Sequence, residues 1–193
     1  MSPRGARSGT GSGTENGPSA KAEAPSASGA SYRGLLYRAL NPVHARDPLS
    51  GEGARRHGGR FNARGTPALY LSLALATALR EANQVGTLQP TTLVAYRAEI
   101  AGLVDGRNAA ALAPWDASPG DLADPDWRGR MLLGGPVPTQ DLAARTAAAG
   151  HPGLIVPSYA RGATVLNVNL VLWRWNTGEA DALEPVDDEG RLA

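Results

Sequence analysis

The chain has 193 residues and a formal net charge of +1, which allows one ordinary domain with a tail and gives no bulk attraction to nucleic acid. It has no cysteine, which excludes disulfide scaffolds, zinc fingers, iron–sulfur clusters and thiolate nucleophiles. Lys21 is its one lysine, so neither a P-loop lysine nor Schiff-base chemistry is available to the folded part, and the three histidines have no HExxH spacing.

Residues 1–31 are Gly, Ser, Ala or Pro at 22 positions and hold no Leu, Ile, Val, Phe, Trp or Tyr. Such a segment cannot bury enough surface to offset its ordering entropy, so a disordered low-complexity tail is expected there. All 36 Leu, Ile, Val and Phe residues fall in 32–193, enough for one core. The domain is expected over 32–178, followed by an acidic, frayed tail over 179–193.

Residues 33–64 carry seven Arg against Asp47 and Glu52, among many glycines, and are expected as an ordered loop region with little regular structure. Ala68–Ser72 then predicts a strand. Leu73 to about Val85 predicts a helix capped by Ser72. Leu93–Ile100 alternates as a strand does. Residues 102–137, rich in Gly, Pro and Asp, predict loops and short helical turns. Thr139 is suited to cap a helix over Gln140–Ala149, which Gly150 would stop. Leu154–Tyr159 and Thr164–Trp175 predict strands, the second with Leu166, Val168, Leu170 and Leu172 on one face and with Trp173 and Trp175 sharing a face. This irregular alternation predicts a mixed α+β domain with a small twisted sheet. With no 18-residue apolar run and no apolar h-region, a cytoplasmic protein is expected, without membrane attachment.

Five residues stand out chemically. Arg38 and Arg60 flank the Gly-rich cationic stretch, where backbone N–H groups can approach an anion and guanidinium groups can bind phosphate oxygens in pairs. A solvated basic loop, or Arg–acid pairs that fix loop geometry, would read the same way. Tyr70 lies in an aliphatic strand and by composition alone is core. Glu81 falls between Leu79 and Ala82 near the edge of an apolar helix face, where a carboxylate is costly unless paired. Ser158 follows Pro157 at a strand end with no GxSxG elbow, which argues against a serine-hydrolase triad.

Together these stretches resemble the RES domain, a family named for an Arg, a Glu and a Ser. The matching residues are Leu36-Tyr37-Arg38, Asp47 to Arg55, Gly58-Gly59-Arg60-Phe61-Asn62, Ala68 to Ser72, Glu81, Val156-Pro157-Ser158 and Asn167 to Leu172. Their order and spacing hold over roughly residues 33–175, with Phe61 standing where the family is expected to have Trp. The resemblance implies a fold similar to ADP-ribosyltransferases and NAD as substrate rather than a bound cofactor. It also implies the role of toxin in a toxin–antitoxin pair, with an Xre-type helix-turn-helix antitoxin as partner in a hetero-oligomer and contact with DNA only through that antitoxin. Under it, Glu81 stabilises the ribosyl cation, Arg38 and Arg60 anchor the pyrophosphate, Tyr70 packs on the nicotinamide or ribose, and Ser158 hydrogen-bonds the nicotinamide ribose or amide. No metal is required. Hydrolysis, phosphorolysis and protein ADP-ribosylation stay open, and so does a non-enzymatic binder of phosphate or nucleic acid.

Overall fold

The computed structural model describes residues 29–84 and 89–192. Of the tail expected over 1–31, residues 1–28 lie outside those residues, as does the helix end expected near Val85; Ala30 and Ser31 belong instead to the first strand. Among the described residues, six strands form one sheet: β1 (Ala30–Leu40), β2 (Leu69–Ser72), β3 (Thr92–Asp105), β4 (Gly153–Pro157), β5 (Val168–Leu172) and β6 (Asp181–Pro185). Among the same residues, five α-helices accompany it: α1 (Glu52–His57), α2 (Leu75–Ala82), α3 (Ala109–Leu112), α4 (Trp127–Leu132) and α5 (Pro138–Ala148). The strands lie in the order β1-β2-β5-β4-β3-β6, and β1 also pairs with β3, so the first five close on themselves while β6 hangs on β3. Only β3 and β4 run parallel; the other pairs are antiparallel. This is the mixed α+β domain with a small sheet that the sequence predicts.

Alternation places the core on both faces of the sheet. In β3, Val94, Tyr96, Ala98 and Ile100 point inward while Arg97 and Glu99 point to water. They meet Leu36, Leu69, Leu71, Leu170 and Leu172 in one apolar cluster. Val171, Leu154 and Val156 face the other way, against Phe61, Leu112, Leu122 and Leu142. Complete burial of one such Leu contributes about 1.5–3 kcal/mol, so the doubly covered β4 and β5 carry much of the stability.

Several elements differ from expectation. The stretch 33–64 is not mainly loop, because Ala30–Leu40 pairs with β3 from Ala30↔Leu103 to Leu40↔Thr92, with Leu36 and Leu40 buried, Arg38 half-buried and Arg33 exposed. Ser72 does not cap α2. It remains in β2 opposite Asn169, and its Oγ donates to Asn169 Oδ1 at 2.7 Å. Thr139 lies inside α5 rather than before it, and its Oγ1 donates to the Arg60 carbonyl at 2.6 Å; Val137 precedes the helix, and Gly150 at φ 94° follows its end. Residues 164–167 form a turn, not strand, because Asn167 Oδ1 accepts from Thr164 N at 2.8 Å; Leu166 is left 84% exposed. Trp173 and Trp175 follow the end of β5 and pack on different clusters, so they share no face. Residues 181–185, expected in a frayed tail, form β6. Buried Leu183 and the Asp181 carboxylate, which accepts from Thr177 N, Thr177 Oγ1 and Gly178 N, hold that strand in place.

Candidate active site

Glu81 occupies the last turn of α2. Thr77 and Ala78, three to four residues earlier, are buried against the sheet, so helical periodicity aims Glu81 at the same surface. Its Oε1 accepts from Ser158 Oγ at 2.5 Å and from Asn169 Nδ2 at 2.5 Å. Its Oε2 accepts from Gln84 Nε2. The carboxylate is therefore satisfied by neutral donors, which fix its position and leave its charge unpaired by a direct salt bridge.

Two cavities meet at this carboxylate. The first, about 360 Å³, is bordered by Tyr37, Arg38, Tyr70, Ser72, Glu81 and Asn169. The second, about 230 Å³, is bordered by Gly59, Arg60, Phe61, Trp127, Tyr159 and again Tyr70, Glu81 and Asn169. Tyr70, Glu81 and Asn169 thus form the partition between them. Arg38, Arg60, Tyr70 and Glu81, remote in sequence, converge on one groove. Ser158 borders neither cavity. It is 8% exposed and stands behind Glu81, not at a ligand position. The two arginines expected on one pyrophosphate border different cavities.

Each polar group is locked by its neighbours. The Tyr70 hydroxyl accepts from Phe61 N at 3.1 Å and donates to Asn62 Oδ1 at 2.8 Å. The amide of Asn62 donates to the carbonyls of Ala54 and Thr66 at 2.8 and 2.9 Å. Burial pushes the Tyr70 phenol far above its usual range, with the Phe61 N–H and Arg60 pulling weakly the other way, so it is a neutral donor. Gly59 must be glycine, because a Cβ there would collide with the Tyr70 hydroxyl and with Asn62 Oδ1. Arg60 Nη1 donates to the carbonyls of Leu122 and Asp124 at 3.1 and 2.6 Å, and its guanidinium lies 4.4 Å from the Tyr159 ring centre and 5.6 Å from that of Trp127. Burial lowers its pKa, while Tyr159, Asp124, Glu81 and Tyr70 raise it. Arg38 Nη1 donates to the carbonyls of Pro48 and Ser50, both at 3.1 Å. Burial lowers its pKa too, and Tyr96 and Asp47 oppose that effect. Both guanidinium groups are held in place before any ligand arrives.

Asn169 and Gln84 were not singled out as site residues by the sequence. A signal existed for Asn169, an amide within the aliphatic run Val168–Leu172, where an unpaired polar group would be costly. None existed for Gln84, an exposed residue just past the helix. Among the described residues no group of three or more His, Asp and Glu is arranged to hold a metal, and no helix is long and apolar enough to cross a membrane.

A family model described as the RES domain matches residues 35–193. Among solved structures, a chain of the M. tuberculosis MbcT-MbcA toxin-antitoxin complex is similar in fold. The match has a TM-score of 0.55 at 23% identity and covers 81% of this chain and 82% of that one. No curated protein matches the sequence.

Proposed function

The chain belongs to the RES domain family, and from that premise we propose that it is the toxin of a toxin–antitoxin pair and arrests growth by cleaving the nicotinamide–ribose bond of NAD in the cytoplasm. The observation that carries the chemistry is an oriented carboxylate at the junction of two cavities, Glu81, held by Ser158 and Asn169. The structural likeness to a chain of a toxin–antitoxin complex supports the biological role.

In this reading the ribose lies against Glu81, the phosphates run along the first cavity toward Arg38, and the nicotinamide ring enters the second beside Tyr159 and Trp127. The bond from ribose carbon to ring nitrogen breaks, and its electron pair leaves with the nitrogen. The pyridinium charge moves to the ribose, and nicotinamide departs neutral. That migration carries positive charge toward Glu81 and away from Arg60, so both residues favour the transition state over the ground state. Water adds to the ribose carbon and releases a proton to solvent; phosphate or a protein side chain could take the same place. Tyr70 forms the wall on which the ribose rests. Ser158 and Asn169 act through Glu81. An Xre-type helix-turn-helix antitoxin would cover this groove and supply the contact with DNA.

The test is to incubate the purified chain with NAD and measure free nicotinamide. Release is the expected result, and ADP-ribose, ADP-ribose 1″-phosphate or a modified protein as second product assigns the acceptor. No release, together with no binding of NAD, would leave a non-enzymatic binder and refute this reading.

A further inference from the structure

The groove continues past Arg38. A third cavity of about 310 Å³ lies between the loop 41–51 and α1, and it shares Arg38 and Leu40 with the first. His44, Arg46, Arg56 and His57 border it, with Asp47 and Glu52 as the acids. Glu52 is already clamped by two arginines: its Oε2 accepts from Arg55 Nε at 2.6 Å and its Oε1 from Arg56 Nε at 2.6 Å. Asp47 lies close enough to Arg38 to raise its pKa. Among the described residues, the side chains of His44, Arg46 and His57 have no hydrogen-bond or ion-pair partner. Three unengaged donors therefore surround a recess that already carries one half-buried guanidinium, that of Arg38.

The recess is preformed. Arg38 holds the carbonyls of Pro48 and Ser50, the Tyr96 hydroxyl donates to Pro48 O at 2.7 Å, and Ser50 Oγ accepts from Glu52 N at 3.3 Å. Fixed backbone with converging guanidinium and imidazole groups suits a phosphate dianion, which accepts several charge-assisted hydrogen bonds at once. The order of the parts matters as well. A dinucleotide with its labile bond at Glu81 and its phosphates at Arg38 brings its adenosine ribose to this recess. A phosphate monoester on that ribose is what separates NADP from NAD.

We propose that the third cavity, bordered by His44, Arg46 and His57, is a phosphate-monoester subsite and that the protein cleaves NADP in preference to NAD. This rests on the reading of the Glu81 groove as the place of dinucleotide cleavage. The same chemistry could be met by free inorganic phosphate, and the experiment separates the two sources.

Nicotinamide release is measured from NADP and from NAD with the full chain, its Arg46→Ala and Arg46→Glu variants, and with and without added inorganic phosphate. Arg46 is exposed on a loop, so neither variant should disturb folding. The wild-type kcat/KM for NADP should exceed that for NAD by about tenfold, as one additional charge-assisted contact provides. Arg46→Ala should shrink the ratio toward one, and Arg46→Glu should invert it. Binding of adenosine 2′,5′-bisphosphate against adenosine 5′-monophosphate, measured by calorimetry, tests the subsite without any turnover and should show the same preference. A wild-type ratio at or below one, or a ratio untouched by Arg46→Glu, would overturn the proposal while leaving NAD cleavage intact. If inorganic phosphate accelerated cleavage of NAD in the wild type but not in Arg46→Glu, the subsite would serve free phosphate and the NADP preference would fall. Tight binding of the bisphosphate with no release from either dinucleotide would refute the cleavage reading and keep the subsite.

Discussion

Replacing Ser158 with Ala tests whether this serine works through Glu81 or on the substrate. The hydroxyl is buried and donates to Glu81 Oε1 at 2.5 Å, the oxygen that Asn169 also holds. A hydrogen bond to a charged group contributes about 1.5–3 kcal/mol. Asn169 and Gln84 remain on the carboxylate in the variant, so the lower part of that range applies, about 1.5–2 kcal/mol, or roughly a 10- to 30-fold loss of kcat. KM should move by less than about threefold, because the hydroxyl borders neither cavity. The assay is steady-state nicotinamide release, accompanied by a melting curve to verify folding. A double-mutant cycle with Glu81→Gln completes it. Once the carboxylate is gone, Ser158→Ala should cost little more, since the two changes remove one interaction. A raised KM with kcat unchanged, or full additivity in the cycle, would show that Ser158 meets the substrate and refute the positioning role.

Other outcomes follow from the same geometry. Tyr70→Phe strands Asn62 Oδ1 and the Phe61 N–H, so unfolding should become about 1–3 kcal/mol easier in denaturant titrations; a change below about 0.5 kcal/mol would contradict the network. Because burial holds the Tyr70 phenol protonated, a plot of log kcat against pH should show no break from this residue between about pH 7 and 10; a break lost in Tyr70→Phe would show an ionising role instead. Asp181 is held below its ordinary value of 3.8: burial opposes the charge, but bonds from Thr177, Gly178 and nearby Arg174 outweigh it. Its contribution to stability is therefore present above about pH 3.8 and lost as pH falls through the lower folded value. Wild type should lose more stability than Asp181→Asn in that acid window, and parallel acid-melting curves would argue against this.

What the sequence could reveal depended on range. Glu81 was legible because a carboxylate at the edge of an apolar helix face needs partners, and the structure supplies them. The identity of those partners was not legible, since Ser158, just past the end of β4, and Asn169, in β5, are distant in sequence and brought beside α2 only when the sheet closes. Arg38 and Arg60 were identified as members of one cationic stretch. The sheet separates them, β1 carrying Arg38 to one cavity and the Gly58–Phe61 turn carrying Arg60 to another. β1 is not legible in the sequence because its arginines and glycine mask a strand whose partner, β3, begins more than fifty residues later. β6 is not legible in the sequence because its neighbours are acidic, while Leu183 and Asp181 find their places only against β3 and the 174–178 turn. Ser72 has the sequence position of a cap, but the cross-strand bond to Asn169 outcompetes that role.

The central claim is that the Glu81 charge drives cleavage of the nicotinamide–ribose bond, and nicotinamide release by purified wild type and Glu81→Gln tests it most directly. The exchange keeps shape, leaves one amide oxygen to accept from Ser158 and Asn169, and removes the charge that faces the ribosyl cation. Loss of such an electrostatic contact costs about 3–4 kcal/mol, so the variant should release nicotinamide on the order of a hundred to a thousand times more slowly, with an unchanged melting temperature and NAD affinity reduced far less. Release within about threefold of wild type by the folded variant would show that Glu81 is not the catalytic carboxylate and would contradict the account.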